Sequence, residues 1–179
     1  MDEIGLINIQ CSHVLILSSV DMYLGERYVI IIKAYVYNYL TIIGRFAYTD
    51  YALARAFRLR NLSNVFINCS YDSACSYSVK APERFEEKIP DMKDVITTVR
   101  FSIDSLHVNN HQDKCLYVFG ACYQDCSGHF HGVGTEQYWS ENNQMGPQTR
   151  QMNPGHRHDK INEHHSFWNW KKVTRLGEF

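Results

Sequence analysis

The stretch YVIIIKAYVYNYLTIIG, Tyr28 to Gly44, decides how the rest of the chain is read. It is the most hydrophobic run in the sequence, and it is interrupted by Lys33, Asn38 and four tyrosines. Branched and aromatic side chains pack well on a pleated surface, so this composition suits a pair of buried β-strands. A membrane-spanning helix needs roughly 20 consecutive apolar residues, more than this run supplies, so no membrane span is expected.

Working outward, similar strand signals recur along the chain: Ile4 to Gln10, His13 to Ser19, Tyr28 to Tyr39, Leu40 to Tyr48, Ala56 to Arg60, Val65 to Cys69, Cys75 to Val79, Val95 to Val108 (broken), Cys115 to Tyr123 and Trp168 to Leu176. Asp50 to Phe57 has helical composition, which weakens the strand at Ala56. Pro82 to Asp94 is the best helix candidate. Pro82 suits a first-turn position, Glu83 follows it at the positive end of the helix dipole, and Pro90 ends the helix after two turns. The fold expected is mainly β: a single antiparallel β-barrel or sandwich, jelly-roll-like, with one short helix and a long polar His-rich C-terminal segment. All of it would form a single domain over residues 1–179, with 120–167 as a polar excursion or arm.

The chain has 179 residues and a formal net charge of −1, which disfavours nucleic acid as a partner. The charge is uneven, with six Lys or Arg against three Asp or Glu, plus four His, between Arg150 and Phe179. Six cysteines are present, and the N-terminus, Met1-Asp2-Glu3-Ile4, is acidic where a secretion signal needs basic residues. Free thiols and a cytoplasmic location are expected from this.

Chemistry is sought in Gly120 to Phe167, which is polar and holds six of the nine His. His129-Phe130-His131 is an H-x-H pair, and on a strand residues two apart share a face. Glu136 and His158 could complete a set of three imidazoles and one carboxylate, which suits a divalent Fe, Mn, Ni, Cu or Zn ion. A closed Cys2His2 zinc site from Cys122, Cys126, His129 and His131 is an alternative. No G-x-S-x-G elbow and no glycine-rich phosphate loop occurs.

His129-x-His131-x4-Glu136 resembles the first cupin motif, and Pro154-Gly155-x2-His158-x3-Asn162 resembles the second. The resemblance covers about 35 residues and implies a small β-barrel with His129, His131, Glu136 and His158 as metal ligands. Such a barrel would be an enzyme on a small molecule or a small-molecule binder. The segment between the motifs, Ser140 to Asn153, is shorter and more polar than the family's usual hairpin. A second similarity, of Phe119-Gly120-x-Cys122 and Gly128-His129-x-His131 to the pyruvoyl-tetrahydropterin synthases, lacks the upstream zinc His at its expected place.

The rival reading is a non-enzymatic structural or assembly β-protein, viral or self-associating as a homo-oligomer, whose C-terminal arm contacts neighbouring subunits. The aromatic load of 12 Tyr, 9 Phe and 3 Trp motivates it. Trp168, Trp170, Lys171 and Lys172 form a basic aromatic tail that could bind a partner or an anion.

Overall fold

The structure is a computed structural model and describes residues 5–22, 30–31, 42–43, 46–60, 65–125, 127 and 130–176. These residues are mainly helical and form no barrel, which overturns the expected β-barrel or sandwich. The chain divides into two compact units. The first comprises Met1–Ile9, Leu17–Ile67 and Tyr77–Val99, and the second comprises Gln10–Ile16, Asn68–Ser76 and Arg100–Phe179.

Two strand pairs open the chain. β1 (Gly5–Gln10) pairs with β2 (Ile16–Met22), and β3 (Ile30–Ile31) pairs antiparallel with β4 (Ile42–Ile43). The strand expected over Ile4 to Gln10 is present as β1, the one expected over His13 to Ser19 starts later, at Ile16, and most of Tyr28 to Tyr48 lies outside the described residues. In the first unit these strands are followed by α1 (Ala47–Arg60), which takes up the helical composition of Asp50 to Phe57. Ala52, Leu53, Ala56 and Phe57 are buried on it, a spacing of three to four residues that defines one helical face.

Around α1 lies a small polar cluster. Asp50 is buried, accepts a 2.6 Å bond from the Tyr77 hydroxyl and pairs with Arg84 at 2.8 Å. The Arg84 guanidinium lies over the Tyr77 ring, 4.6 Å from its centroid. The helix expected over Pro82 to Asp94 is realised as α3 (Ala81–Lys88), with Pro82 in its first turn and Phe85 buried. Pro90 ends it and starts a 3-10 turn, after which α4 (Lys93–Thr98) buries Ile96.

In the second unit, β5 (Asn68–Ser70) pairs in parallel with β6 (Arg100–Ser102), with Ser70 opposite Ser102. A parallel bridge between Ile103 and Gly120 extends this edge. Between and after these strands come α2 (Ala74–Tyr77), which runs on into the first unit, α5 (Asp113–Phe119), α6 (Gly134–Asn142), α7 (Gly146–Thr149) and α8 (Pro154–Thr174). The strands expected at Cys75 to Val79, Cys115 to Tyr123 and Trp168 to Leu176 are helical or 3-10 for most of their length.

The tail shows why the strand reading fails. Ile161, His165 and Trp168 are the buried residues of α8, at i, i+4 and i+7. The stripe that marks a helix contains a histidine in place of an aliphatic residue, so aromatic content alone suggested a strand. Trp168 packs with Val14 and Tyr138, its indole N–H donates to the Val14 carbonyl at 2.7 Å, and Tyr138 stacks edge-on at 5.3 Å. Val14 holds a positive φ of 62°, unusual for a branched residue, in a turn closed by Val14 N–H to the Cys11 carbonyl at 2.8 Å. No helix among the described residues is long and apolar enough to cross a membrane.

Candidate functional site

Two residues beyond β5 the chain reaches Asp72, and two residues beyond β6 it reaches Asp104. Because Ser70 and Ser102 are in register, both carboxylates leave the same carboxyl edge of a parallel pair. Loops at that edge are where parallel sheets most often place their ligands, since the strands fix the loop ends rigidly. Tyr71 N–H donates to the Ser102 carbonyl at 2.9 Å and so continues the pairing up to Asp72.

Asp104 is buried and its carboxylate is heavily engaged. Oδ1 accepts from the backbone N–H groups of Leu106 and His107, both at 2.9 Å, and Oδ2 meets His107 Nδ1 at 2.8 Å. This local capping is what Asp does when a chain turns sharply out of a strand. It fixes the imidazole by the same contact. The other face of that ring points toward α6, with Nε2 3.9 Å from Glu136 Oε1. The hydrogen bond that His107 donates to Asp104, with the charges of Asp104, Asp72 and Glu136, raises the His107 pKa above its ordinary value against the lowering effect of burial.

Gly132 closes this edge from above. Its φ is +73°, and a Cβ there would lie 2.5 Å from Ser70 Oγ and 2.7 Å from Asp104 Cβ. The preceding carbonyl, of His131, accepts from Ser105 N–H at 3.0 Å. Glycine thus lets the 131–134 segment cross both strand ends and start α6 with Glu136 in its first turn.

A second cluster lies on the far side of Asp72. Asp72 Oδ1 is 3.4 Å from His111 Nε2, and His111 Nδ1 is 3.5 Å from Cys75 Sγ. Among the described residues, Cys75, His111 and Cys115 are the one group of His, Cys, Asp or Glu whose ligand atoms all approach one another within 4.8 Å, so this group could hold a metal ion. Desolvation, aided by the neighbouring Cys75 thiol, pushes the Cys115 thiol up from its ordinary value.

The residues singled out from sequence are dispersed. His129 lies outside the described residues, His131 is exposed in the turn before Gly132, Glu136 is on α6, and His158 is exposed on α8. The second apparent cupin motif is a helix start. Asn153 is the N-cap, its side-chain oxygen accepts from His156 N–H at 3.0 Å, and Pro154 sits in the first turn. The described part of the first, residues 130–136, is the turn at Gly132 leading into α6. Trp168 is buried in the core, and Trp170 is exposed. Lys171 and Lys172 border a groove of about 490 Å³ together with His13, Trp168 and Arg175. Lys171 also pairs with Glu141 at 3.1 Å, and Lys172 reaches Gln137 at 3.2 Å.

Sequence reasoning missed Asp72, Asp104, His107 and His111. Their legible signal was position: Asp72 and Asp104 each follow a short branched or aromatic run at its carboxyl end, in Val65 to Ser70 and Val99 to Ile103.

The family model of the Kyakuja-Dileera-Zisupton (KDZ) transposases matches residues 1–169. The chain belongs to that transposase family. The match overturns the cupin resemblance and the small-molecule cupin function expected from sequence, and gives no better support to the assembly-protein alternative. No curated protein and no solved structure matches the chain significantly.

Proposed function

We propose that the second unit carries the phosphodiester chemistry of a transposase, acting on DNA at Asp72, Asp104, His107 and Glu136. The observation that carries this reading is the convergence of two carboxylates on one imidazole, Asp104 at hydrogen-bond distance and Glu136 at 3.9 Å, beside the strand edge from which Asp72 also leaves. Three carboxylates from three separate segments would repel one another without a cationic partner, and such an arrangement is costly unless it serves binding or catalysis.

The donor type is the one a hard divalent cation takes. Asp72 and Glu136 present carboxylate oxygens on side chains that are 58% and 46% exposed, the donor type that suits Mg or Mn. A divalent ion held by these two side chains would supply charge stabilisation to the attacking and leaving oxygens of a phosphodiester. Asp104 is a positioning residue, because its oxygens are already committed to Leu106, His107 and the turn. His107, held by Nδ1, offers Nε2 toward the open side as a proton carrier or as a charged partner for a phosphate oxygen.

Family membership also revises the partner expected from net charge alone: we infer that the chain contacts nucleic acid. The last turns of α8, with Lys171, Lys172 and Arg175 beside the groove, provide a basic surface suited to a phosphate backbone.

The test is nicking of a supercoiled plasmid by the purified chain in Mg or Mn. Wild-type protein is expected to nick, and Asp72→Asn and Glu136→Gln are each expected to lose that activity with unchanged circular dichroism. Nicking retained by both variants, or none by wild type, overturns the assignment.

A further inference from the structure

We propose that Cys75, His111 and Cys115 form a zinc-class metal centre, separate from the carboxylate site, that ties the loop after β5 to the start of α5. This inference concerns a different donor set and does not rest on the assignment of DNA chemistry.

The donor chemistry points to a soft or borderline ion. Two sulfurs and one imidazole nitrogen are the mixture that zinc selects, and hard cations such as Mg do not. The spacing also fits. Tetrahedral zinc with ordinary Zn–S and Zn–N bonds separates its ligand atoms by about 3.5–3.8 Å. Cys75 Sγ and His111 Nδ1 are 3.5 Å apart, and the three ligand atoms lie within 4.8 Å of one another.

The surroundings supply a second, independent feature. A metal-binding His characteristically gives its remaining ring N–H to a carboxylate, which fixes the tautomer and the ring plane. His111 offers Nδ1 to the cysteine side and has Asp72 Oδ1 3.4 Å from Nε2. Its orientation is thus the one a ligand requires. The side chain is 19% exposed, so the centre is shielded but reachable.

The chain positions these ligands by local rules. Cys75 lies in α2, directly after the Asp72–Ser73 turn. His111 follows the 3-10 turn Val108–Asn110, and Cys115 occupies the first turn of α5. Segments 36 and 40 residues apart in sequence (111 minus 75, 115 minus 75) would be joined at one point. Asp72 orients His111 through one oxygen, 3.4 Å from Nε2.

The experiment uses the full chain, purified under reducing conditions without a His-tag, with zinc measured by elemental mass spectrometry. About one equivalent is expected in wild type and in Glu136→Gln, and none in the Cys75→Ser/Cys115→Ser double variant. Asp72→Asn is expected to weaken zinc affinity about 10- to 100-fold. Cobalt substitution of the wild-type chain gives a readout that does not depend on a variant folding: a thiolate-to-cobalt charge-transfer band with the intensity of two sulfur ligands. A wild-type chain that takes up neither zinc nor cobalt after reduction and reconstitution overturns the proposal. So does a double variant that keeps wild-type zinc. Loss of plasmid nicking in Glu136→Gln with zinc retained separates this centre from the carboxylate site.

Discussion

Ser70 and Ser102 face each other across the parallel β5–β6 pair, and that single register places Asp72 and Asp104 on one edge. The site is therefore sensitive to anything that shifts the two strand ends relative to each other.

Gly132 is the first such point. Gly132→Ala puts a methyl group against Ser70 Oγ and Asp104 Cβ at a φ that L-residues rarely adopt. A destabilisation of at least about 1 kcal/mol is expected, together with a drop in nicking larger than stability alone explains. Chemical denaturation and the plasmid assay, run on the same preparation, check both parts.

Asp50→Ala in the first unit leaves the Arg84 guanidinium without its carboxylate and the Tyr77 hydroxyl without its acceptor. Removing one partner of a buried pair typically costs about 3–5 kcal/mol, because the remaining charge stays desolvated. Urea midpoints are expected to fall accordingly. A change within about 0.5 kcal/mol would show that Arg84 finds water instead.

The Tyr138 hydroxyl donates to Asn142 Oδ1 at 2.9 Å, so at 2.7 Å it accepts from His165 Nε2–H. Tyr138→Phe removes the 2.7 Å hydrogen bond to the buried His165 imidazole, with an expected loss of about 1–3 kcal/mol. Trp168→Ala removes the indole from the Val14–Tyr138 cluster and is expected to cost more, about 3–5 kcal/mol. The order of the two in thermal denaturation is the check.

His164 gives a pH dependence of definite sign. Burial pushes its pKa below 6.5, and its Nδ1 has no hydrogen-bond partner among the described residues. The unfolded chain then binds a proton near pH 6.5 while the folded chain does not, so this residue's contribution falls as pH drops from 6.5 through the lower folded value. His107 acts oppositely: its stabilisation is full below 6.5 and fades as pH rises through its raised folded value. The comparison that isolates the first effect is His164→Gln against wild type. The variant is expected to lose less stability between pH 6.5 and 5, and parallel curves would refute the assignment.

For the basic end of α8, Lys171→Gln/Lys172→Gln/Arg175→Gln is expected to weaken duplex DNA binding with little dependence on sequence. The slope of log affinity against log salt should become shallower by about one unit per lost phosphate contact. An unchanged slope would move the DNA-binding face elsewhere.

By itself, the sequence determined the local events that need only neighbours along the chain. Pro82 and Pro90 bound a short helix because proline lacks an N–H and fixes φ. The first hairpin's strands follow from branched residues close in sequence. It did not determine the fold class, because aromatic and branched residues such as Trp168 and Tyr138 serve a helix packing face as readily as a pleated sheet, and only their partners decide which. The carboxylate site and the Cys75–His111–Cys115 cluster were likewise the work of tertiary structure. Their members come from segments tens of residues apart, and no periodicity records a register such as Ser70 opposite Ser102, which forms only when two distant strands pair.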